Sequence, residues 1–224
     1  MTRQARQSRP QVVCILADNS GSMQGDKARA ATEGIREMIM ECQTKGPQGV
    51  ERSYFKVLLV KFSNEAQIDP SCDMTPVRQI DPQTIEIRGD GGQTNITAAL
   101  QLALDRLKPY MQGLQNHPEH GEHPLPLVLL FSDGEHNVGA PPQSVAAQLK
   151  SLRLDGESVV VVSAGVAVGD GRPDETTLRE IGSPECYLPV TAADMLTAFI
   201  SEVGSSGLSS AAEIAEKIRE EISE

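Results

Sequence analysis

The sequence has little of what several common classes of protein require. It has no tryptophan and 3% aromatic residues, so its core must be built from valine, leucine, isoleucine and alanine. Its 20 basic residues form no block and are outnumbered by 31 acidic ones. This argues against nucleic acid or an anionic membrane surface as a partner, because both bind clustered positive charge. No apolar stretch approaches the roughly 20 residues that span a bilayer.

Cysteine is also scarce, and its spacing excludes a dense disulfide framework or a C-x-x-C motif. We expect the four cysteines to be reduced thiols. They are Cys14, Cys42, Cys72 and Cys186. Residues 1–10 are basic and polar, and the apolar run behind them ends early, at Asp18. A secretory signal needs a longer apolar region. We therefore expect a disordered N-terminal arm over 1–10 and a cytoplasmic protein.

Short apolar runs that are rich in β-branched residues alternate with stretches of helical periodicity. The first three runs cover 12–17, 56–62 and 158–168, and the fourth covers 126–131. The helical stretches cover 26–43, 95–112, 142–154, 174–182 and 192–202. Continuous apolar runs bounded by polar turns are typical of strands buried on both faces. The alternation predicts an α/β fold with helices on both faces of a mostly parallel sheet.

The pattern changes near the C-terminus. We assign 11–203 to the main domain, 204–210 ("GSSGLSS") to a flexible linker and 211–224 to an amphipathic helical tail. The apolar stripe of this tail has three possible uses: it docks on its own domain, on a partner or on a second copy.

Oxygen-rich loops follow three of these elements. "DNSGSM" (18–23) follows the first run, "FSDGEHN" (131–137) ends the fourth, and "GDGGQTNIT" (89–97) leads into a helix. In open α/β sheets, ligands bind where the carboxyl ends of the strands converge. If the first and fourth runs are neighbouring strands, five side chains surround one point. They are Asp18, Ser20, Ser22, Thr94 and Asp133.

Two carboxylates and three hydroxyls form a site with only oxygen donors. Such a site favours Mg²⁺, Mn²⁺ or Ca²⁺ over zinc or copper. The two acids would only neutralise the charge of the cation, which leaves it able to accept one further anionic oxygen. We expect a partner protein to supply that oxygen from an acidic residue.

Together, "ADNSGSM", "GGQTN" and "FSDG" resemble the metal-ion-dependent adhesion site (MIDAS) of the von Willebrand factor A (VWA) domain. The resemblance covers roughly residues 11–203 and implies a Rossmann-like, doubly wound sheet with one antiparallel edge strand. It also implies that Asp18, Ser20, Ser22, Thr94 and Asp133 bind a divalent ion, with Gly21 as the small residue between the serines. In the family, the threonine ligates the ion directly only when a ligand is bound.

The resemblance suggests a non-enzymatic adaptor. Stand-alone bacterial VWA proteins of this length resemble those encoded beside tellurite-resistance and stress-response genes, some of which have kinase and phosphatase partners. An alternative is a VWA subunit that regulates an AAA+ ATPase of the MoxR or chelatase type. A third possibility is a scaffold in which the metal only holds the loops.

Other interpretations of the motifs are weaker. The 89–97 loop lacks the lysine and the spacing of a phosphate-binding loop. His117, His120 and His123 alternate with acids in a proline-containing segment, which is more typical of a solvated surface than of a metal site. We expect His136 to be a surface residue near the rim of the site. Asp90 and Glu135 also lie in these loops, and we expect them either to contact the metal ligands or to lie at the rim.

The sequence contains few candidate catalytic residues. A strand that ends in Asp18 invites comparison with aspartyl-phosphate phosphatases, but these need a second Asp where this chain has Ser20. There is no G-x-S-x-G elbow for a serine nucleophile. We therefore expect a protein that is not an enzyme.

Overall fold

The four apolar runs form adjacent strands of one sheet. A computed structural model describes residues 10–45, 55–115, 124–207 and 211–223. The strands are β1 (Gln11–Asp18), β2 (Phe55–Phe62), β3 (Ala66–Ile68), β4 (Thr75–Pro76), β5 (Leu127–Ser132), β6 (Arg153–Leu154), β7 (Glu157–Ser158), β8 (Val160–Val166) and β9 (Tyr187–Val190). The helices are α1 (Asp26–Thr44), α2 (Ile96–Gln115), α3 (Gln143–Ser151), α4 (Glu175–Ile181), α5 (Ala193–Ala198) and α6 (Ala211–Ser223). A π-helical segment, Phe199–Val203, continues α5.

The main sheet has the order β3-β2-β1-β5-β8-β9, and β4 also pairs with β2. The strands β2, β1, β5, β8 and β9 run parallel to one another, whereas β3 and β4 are antiparallel to β2. The predicted α/β fold with a mostly parallel sheet is confirmed, and the antiparallel edge agrees with the family resemblance. None of the helices in the described ranges is long and apolar enough to cross a membrane.

Both faces of the sheet are covered, which explains why the central strands are apolar throughout. Alternate residues of β1 enter two different cores: Val13 and Ile15 face α1 and the C-terminal helices, and Cys14 and Leu16 face α2, α3 and α4. Successive side chains of a strand point to opposite faces, so a strand between two helical layers has no polar side. With few aromatic residues, these cores consist mainly of aliphatic side chains.

Gly34 lets two helices of the first layer come close together. A Cβ added at Gly34 would lie 3.0 Å from the Cβ of Ile200 and 3.0 Å from the Cα and carbonyl oxygen of Thr197. The Thr197 hydroxyl also donates to the Ala30 carbonyl across this contact, at 3.1 Å. A larger residue at this position would therefore have to push the two helices slightly apart.

The predicted linker begins later than we placed it. Gly204 and Ser205 are helical and buried, and a Cβ added at Gly204 would lie 2.6 Å from the sulfur of Met38. Lys45 Nζ donates to the Ser205 hydroxyl at 3.0 Å. The assignment of 204–205 to a flexible linker is therefore wrong, because the missing side chain of Gly204 serves packing rather than flexibility. Residues 208–210 lie outside the described residues.

The C-terminal tail docks back on its own domain. Ile214, Ala215 and Ile218 of α6 are buried in the same core as α1, and Lys217 Nζ pairs with Glu202 at 3.0 Å. Of the three uses that the sequence left open, the structure thus shows the first.

Two predicted segments fall largely outside the described residues. They are the N-terminal arm, of which only Pro10 is described, and the segment that contains His117, His120 and His123. All four cysteines are free and buried. Burial raises the pKa of each thiol, for example to about 11 for Cys72 and for Cys186.

Candidate functional site

Asp18 and Asp133 lie beside each other at the carboxyl edge of the sheet. Asp18 is the last residue of β1, and Asp133 directly follows β5. These two strands are parallel neighbours, with Ala17 opposite Phe131. The relative exposure of the two acids is 0% and 1%. The expectation that the first and fourth apolar runs are adjacent is therefore confirmed.

Two serines join the two acids. The Ser20 backbone N–H donates to Asp18 Oδ1 at 2.8 Å, and the Ser20 and Ser22 hydroxyl oxygens are 3.0 Å apart. The Ser22 hydroxyl donates to Asp133 Oδ1 at 2.6 Å. A short 3₁₀ turn over Gly21–Met23 brings the serines to the same side. Since Ser22 is exposed and the acids are buried, the cluster opens to solvent at Ser22.

Thr94 approaches the cluster from the third loop. A Cβ added at Gly134 would lie 3.5 Å from Thr94 Oγ1 and 3.7 Å from Ser22 Oγ. The two hydroxyls therefore face the same small space beside Gly134, which any larger residue would fill. The structure thus places all five predicted site residues at one end of the sheet.

Asn19 connects the first loop (18–23) to the third, glycine-rich loop (89–97). Its side-chain oxygen accepts hydrogen bonds from the backbone N–H groups of Arg88 and Gly89, each at 2.9 Å. Its own carbonyl accepts from the Gly91 N–H at 2.9 Å. Its amide nitrogen donates to Asp90 Oδ1 at 3.0 Å. Asp90 thus lies at the rim, as predicted, and has a partner within the site's own loops.

The third loop is fastened to the loop after β5. The Thr94 N–H donates to Asn137 Oδ1 at 2.9 Å, and the Asn137 N–H donates to the Thr94 carbonyl at 3.2 Å. His136 Nδ1 accepts from the Ile96 N–H at 3.2 Å. His136 thus satisfies a free donor at the first turn of α2. We predicted a surface residue for this position, and the structure gives it a half-buried capping role instead.

Ser132 is a buried residue of the site that the sequence analysis did not single out. Its hydroxyl donates to Asp18 Oδ2 at 2.5 Å. Burial raises the pKa of Asp18 to about 6, although the hydrogen bonds from Ser132 and Ser20 lower it and the nearby Asp133 raises it. The signal for Ser132 was its place before Asp133 in "FSDG", but its partner lies 114 positions away.

Lys27 is the second residue that was missed. It lies in the first turn of α1 with 6% of its side chain exposed, and its Nζ makes a short ion pair with Asp133 Oδ2. The same nitrogen lies 3.4 Å from Asp170 Oδ1, whose side chain is fully exposed. A lysine at the start of a helix is usually a surface residue, so nothing in the local sequence indicated this contact.

The donor set fits a hard divalent cation. Buried carboxylates and hydroxyls are the oxygen ligands that Mg²⁺, Mn²⁺ and Ca²⁺ prefer. Within the ranges that the structure describes, no group of three or more His, Cys, Asp or Glu residues forms a metal cluster. The best-supported place for an ion is therefore this pair of acids with its hydroxyls, where the space beside Gly134 is left open.

Comparisons with known proteins agree with the fold. A family model of the von Willebrand factor type A domain matches residues 13–201. Among solved structures, proximal thread matrix protein 1 from the mussel byssus, with a zinc-occupied MIDAS motif, is 22% identical, with a TM-score of 0.61 over 91% of this chain and 49% of its own. A von Willebrand factor type A protein from Catenulispora acidiphila is 16% identical, with a TM-score of 0.59 over 89% of this chain and 43% of its own.

A third structure is the pilus adhesin SpaC from Lactobacillus rhamnosus GG. It is 15% identical, with a TM-score of 0.63 over 94% of this chain and 31% of its own. At such identities, the likeness shows the fold. This chain spans about half the length of the mussel protein. No curated protein sequence matches it.

Proposed function

The chain belongs to the von Willebrand factor type A domain family, and from this premise we propose that it is a metal-dependent module for protein–protein interaction. Asp18, Ser20, Ser22, Thr94 and Asp133 would hold a divalent cation, with Mg²⁺ as the first choice and Mn²⁺ or Ca²⁺ as alternatives. When bound, the cation would supply an electrophilic position for one carboxylate oxygen of an acidic partner residue.

One observation carries this proposal. Four of the five residues form a continuous hydrogen-bonded chain, from the Asp18 carboxylate through the backbone N–H and the hydroxyl of Ser20 and the Ser22 hydroxyl to Asp133. The acids at its ends are buried, whereas Ser22 is exposed. Buried charge is costly unless it is paired. Lys27 pairs with Asp133, which leaves the two buried acids with one net negative charge at an open edge of the sheet and favours a cation-binding role. The zinc-occupied MIDAS motif of the mussel protein supports a divalent ion at this position in the fold.

The residues around the cluster would keep it in shape. Asn19 and Asn137 fasten the three loops to each other through backbone N–H groups. Ser132 orients the second oxygen of Asp18. Because these contacts link the loops directly, little ordering would be needed when an ion or a partner arrives.

We propose that the protein is not an enzyme and that it acts in the cytoplasm, without nucleic acid or membrane as a partner. Its pathway would be a bacterial tellurite-resistance or stress-response complex with kinase or phosphatase partners. The alternative is regulation of a MoxR- or chelatase-type ATPase, and the identity of a captured partner would distinguish these two.

The test combines metal titration with affinity capture from native cytosol. We expect Mn²⁺ binding in calorimetry for the wild type and none for Asp18→Ala. A partner should be captured by the wild type with Mg²⁺, but neither with EDTA nor by Asp18→Ala. Thr94→Ala should weaken capture about tenfold but Mn²⁺ binding less than about threefold, because in the family this threonine ligates directly only in the ligand-bound form.

Glu135→Gln is the matched control, because it removes an acid from the same loop at an exposed position. It should bind both the metal and the partner like the wild type. If a partner is captured equally in all conditions, its binding surface lies elsewhere and the metal-bridged mechanism is wrong. If Mn²⁺ stabilises the fold without any effect on capture, the metal is only structural.

A further inference from the structure

Lys27 occupies a position that is unusual for lysine. Lysine is almost never buried unless it is paired, and Lys27 has 6% of its side chain exposed. Positive charge is also disfavoured at a helix N-terminus because of the helix dipole, and Lys27 is the second residue of α1. When a residue violates local preferences in this way, a functional site is the usual reason.

The acids around Lys27 explain its position. Its ammonium pairs with Asp133 Oδ2, while Asp133 Oδ1 accepts the Ser22 hydroxyl at 2.6 Å. Asp170 is 3.4 Å away, but its side chain is fully exposed, so water and salt screen its charge. The effective charges in the buried part of the site are therefore those of Lys27, Asp18 and Asp133.

These three groups together carry one net negative charge. A divalent cation turns this into one net positive charge, whereas the same loaded site without Lys27 would be neutral. A fixed positive charge repels an incoming cation and attracts an incoming anion, and both effects are stronger where water is excluded.

We propose that Lys27 determines the specificity of the site, by weakening the binding of the divalent cation and strengthening the binding of a carboxylate to the loaded site. This inference rests on the proposed function, since it requires a cation to bind at the five-residue site. Lys27 thus favours an acidic partner over a neutral one. In the absence of the ion, it also neutralises Asp133.

The test uses the whole chain in four forms. Lys27→Met removes the charge and keeps an aliphatic side chain of similar length, whereas Lys27→Arg keeps the charge. Lys56→Met is the matched control, because Lys56 lies in β2 near the end of the sheet opposite the site. Mn²⁺ is titrated by calorimetry into EDTA-dialysed protein. Acetate is then titrated into the Mn²⁺-loaded protein and followed by the relaxation of its methyl protons.

We expect Lys27→Met to bind Mn²⁺ at least about tenfold more tightly than the wild type, which corresponds to about 1.4 kcal/mol. Lys27→Arg and Lys56→Met should stay within about threefold of the wild type. In the loaded proteins, Lys27→Met should bind acetate at least about fivefold more weakly. The acetate titration still tests the proposal if Lys27→Met requires Mn²⁺ to fold, because it is measured with the ion bound.

The outcomes separate the two proposals. If the wild type does not bind Mn²⁺, the proposed function fails and this inference fails with it. If the wild type binds Mn²⁺ but Lys27→Met binds it equally or more weakly, only the inference is overturned, and Lys27 merely positions Asp133. Equal acetate binding by the loaded wild type and the loaded Lys27→Met overturns the inference as well.

Discussion

Replacing Asp18 by Asn should stabilise the metal-free protein while abolishing its binding of metal. Asn has nearly the same shape as Asp and keeps one oxygen to accept the Ser20 N–H. Its amide group can donate to the Ser132 hydroxyl, which in the wild type donates to Asp18. The substitution therefore removes a buried charge while leaving its neighbours with partners.

The magnitude follows from the pKa of Asp18. Burial raises this pKa from 3.8 to about 6 in the folded protein. The protonated carboxyl therefore favours the folded state, and this stabilisation is fully present below a pH of about 4. It is lost as the pH rises through about 6, and the loss amounts to about 3 kcal/mol because each pKa unit corresponds to about 1.4 kcal/mol. The amide of the Asp18→Asn variant does not titrate, so the variant avoids this loss.

The assay is urea unfolding in EDTA across this pH range. At a pH of about 7.5, Asp18→Asn should exceed the wild type by about 1–3 kcal/mol in the free energy of unfolding, the lower values allowing for the burial of the amide. At a pH of about 4, the two should be equal. Adding Mn²⁺ at a hundred times its Kd should stabilise only the wild type, by about 2.7 kcal/mol.

Glu135→Gln controls for the general effect of removing a negative charge from a chain with a net charge of -11. It should leave the pH dependence unchanged, since Glu135 is exposed. The contradicting result would be that Asp18→Asn is less stable than the wild type in EDTA and that the free energy of unfolding of both proteins depends on pH in the same way. Burial would then not destabilise the charged form of Asp18 in the folded protein. The reasoning from its raised pKa would then be refuted.

Three further predictions concern the packing around the site and in the core. Gly134→Ala should fold normally but bind Mn²⁺ about tenfold more weakly in calorimetry, because its Cβ occupies the space between the Thr94 and Ser22 hydroxyls. Gly34→Ala should lower the free energy of unfolding by about 1–3 kcal/mol. The control, Gly113→Ala in an open part of α2, should raise it by about 0.5–1 kcal/mol. Equal effects of the two substitutions would contradict the close approach of the helices at Gly34. Ile214→Ala should cost about 2–4 kcal/mol in the same urea assay if α6 belongs to the core, and a loss below about 0.5 kcal/mol, as for a surface substitution, would contradict its docking.

The fold was predictable because its strong signals are local. Runs such as 126–131 are continuously apolar, and β5 occupies Leu127–Ser132. The edge strands β3 and β9 were not among the predicted runs, since they have three and four residues. Segments of this length are defined by pairing with their neighbours rather than by their own composition.

The site was predictable only where a motif spans the loops. Asp18 and Asp133 were paired because both follow apolar runs, and Thr94 was added because its loop leads into a helix; the family resemblance then joined the three loops into one motif. The hydrogen-bond and ion-pair partners of these acids could not be assigned from the sequence, because Lys27 is 106 positions from Asp133, and Ser132, although it precedes Asp133, is 114 positions from Asp18. Their burial is a product of the tertiary structure, which no local pattern encodes.

The contacts of the C-terminal tail could not be predicted from the sequence either. Its apolar stripe predicted an amphipathic helix, and α6 spans Ala211–Ser223. The stripe could not indicate which surface it covers, because the hydrophobic effect drives an apolar face onto its own domain and onto a partner alike. The position of that face, with Ile214 and Ile218 in the core that contains α1, came only from the structure.

The edges of the sheet constrain how this protein can meet another one. The edge strands β3 and β9 are short, and Pro189 in β9 has no N–H to donate. Long, regular edges invite a second chain to add a strand, whereas short edges and prolines discourage it. The addition of a strand from a second chain to β3 or β9 is therefore disfavoured. Under the proposed function, specificity for a partner would be left to the side chains of the loops, where a few substitutions would alter the choice of partner without disturbing the sheet.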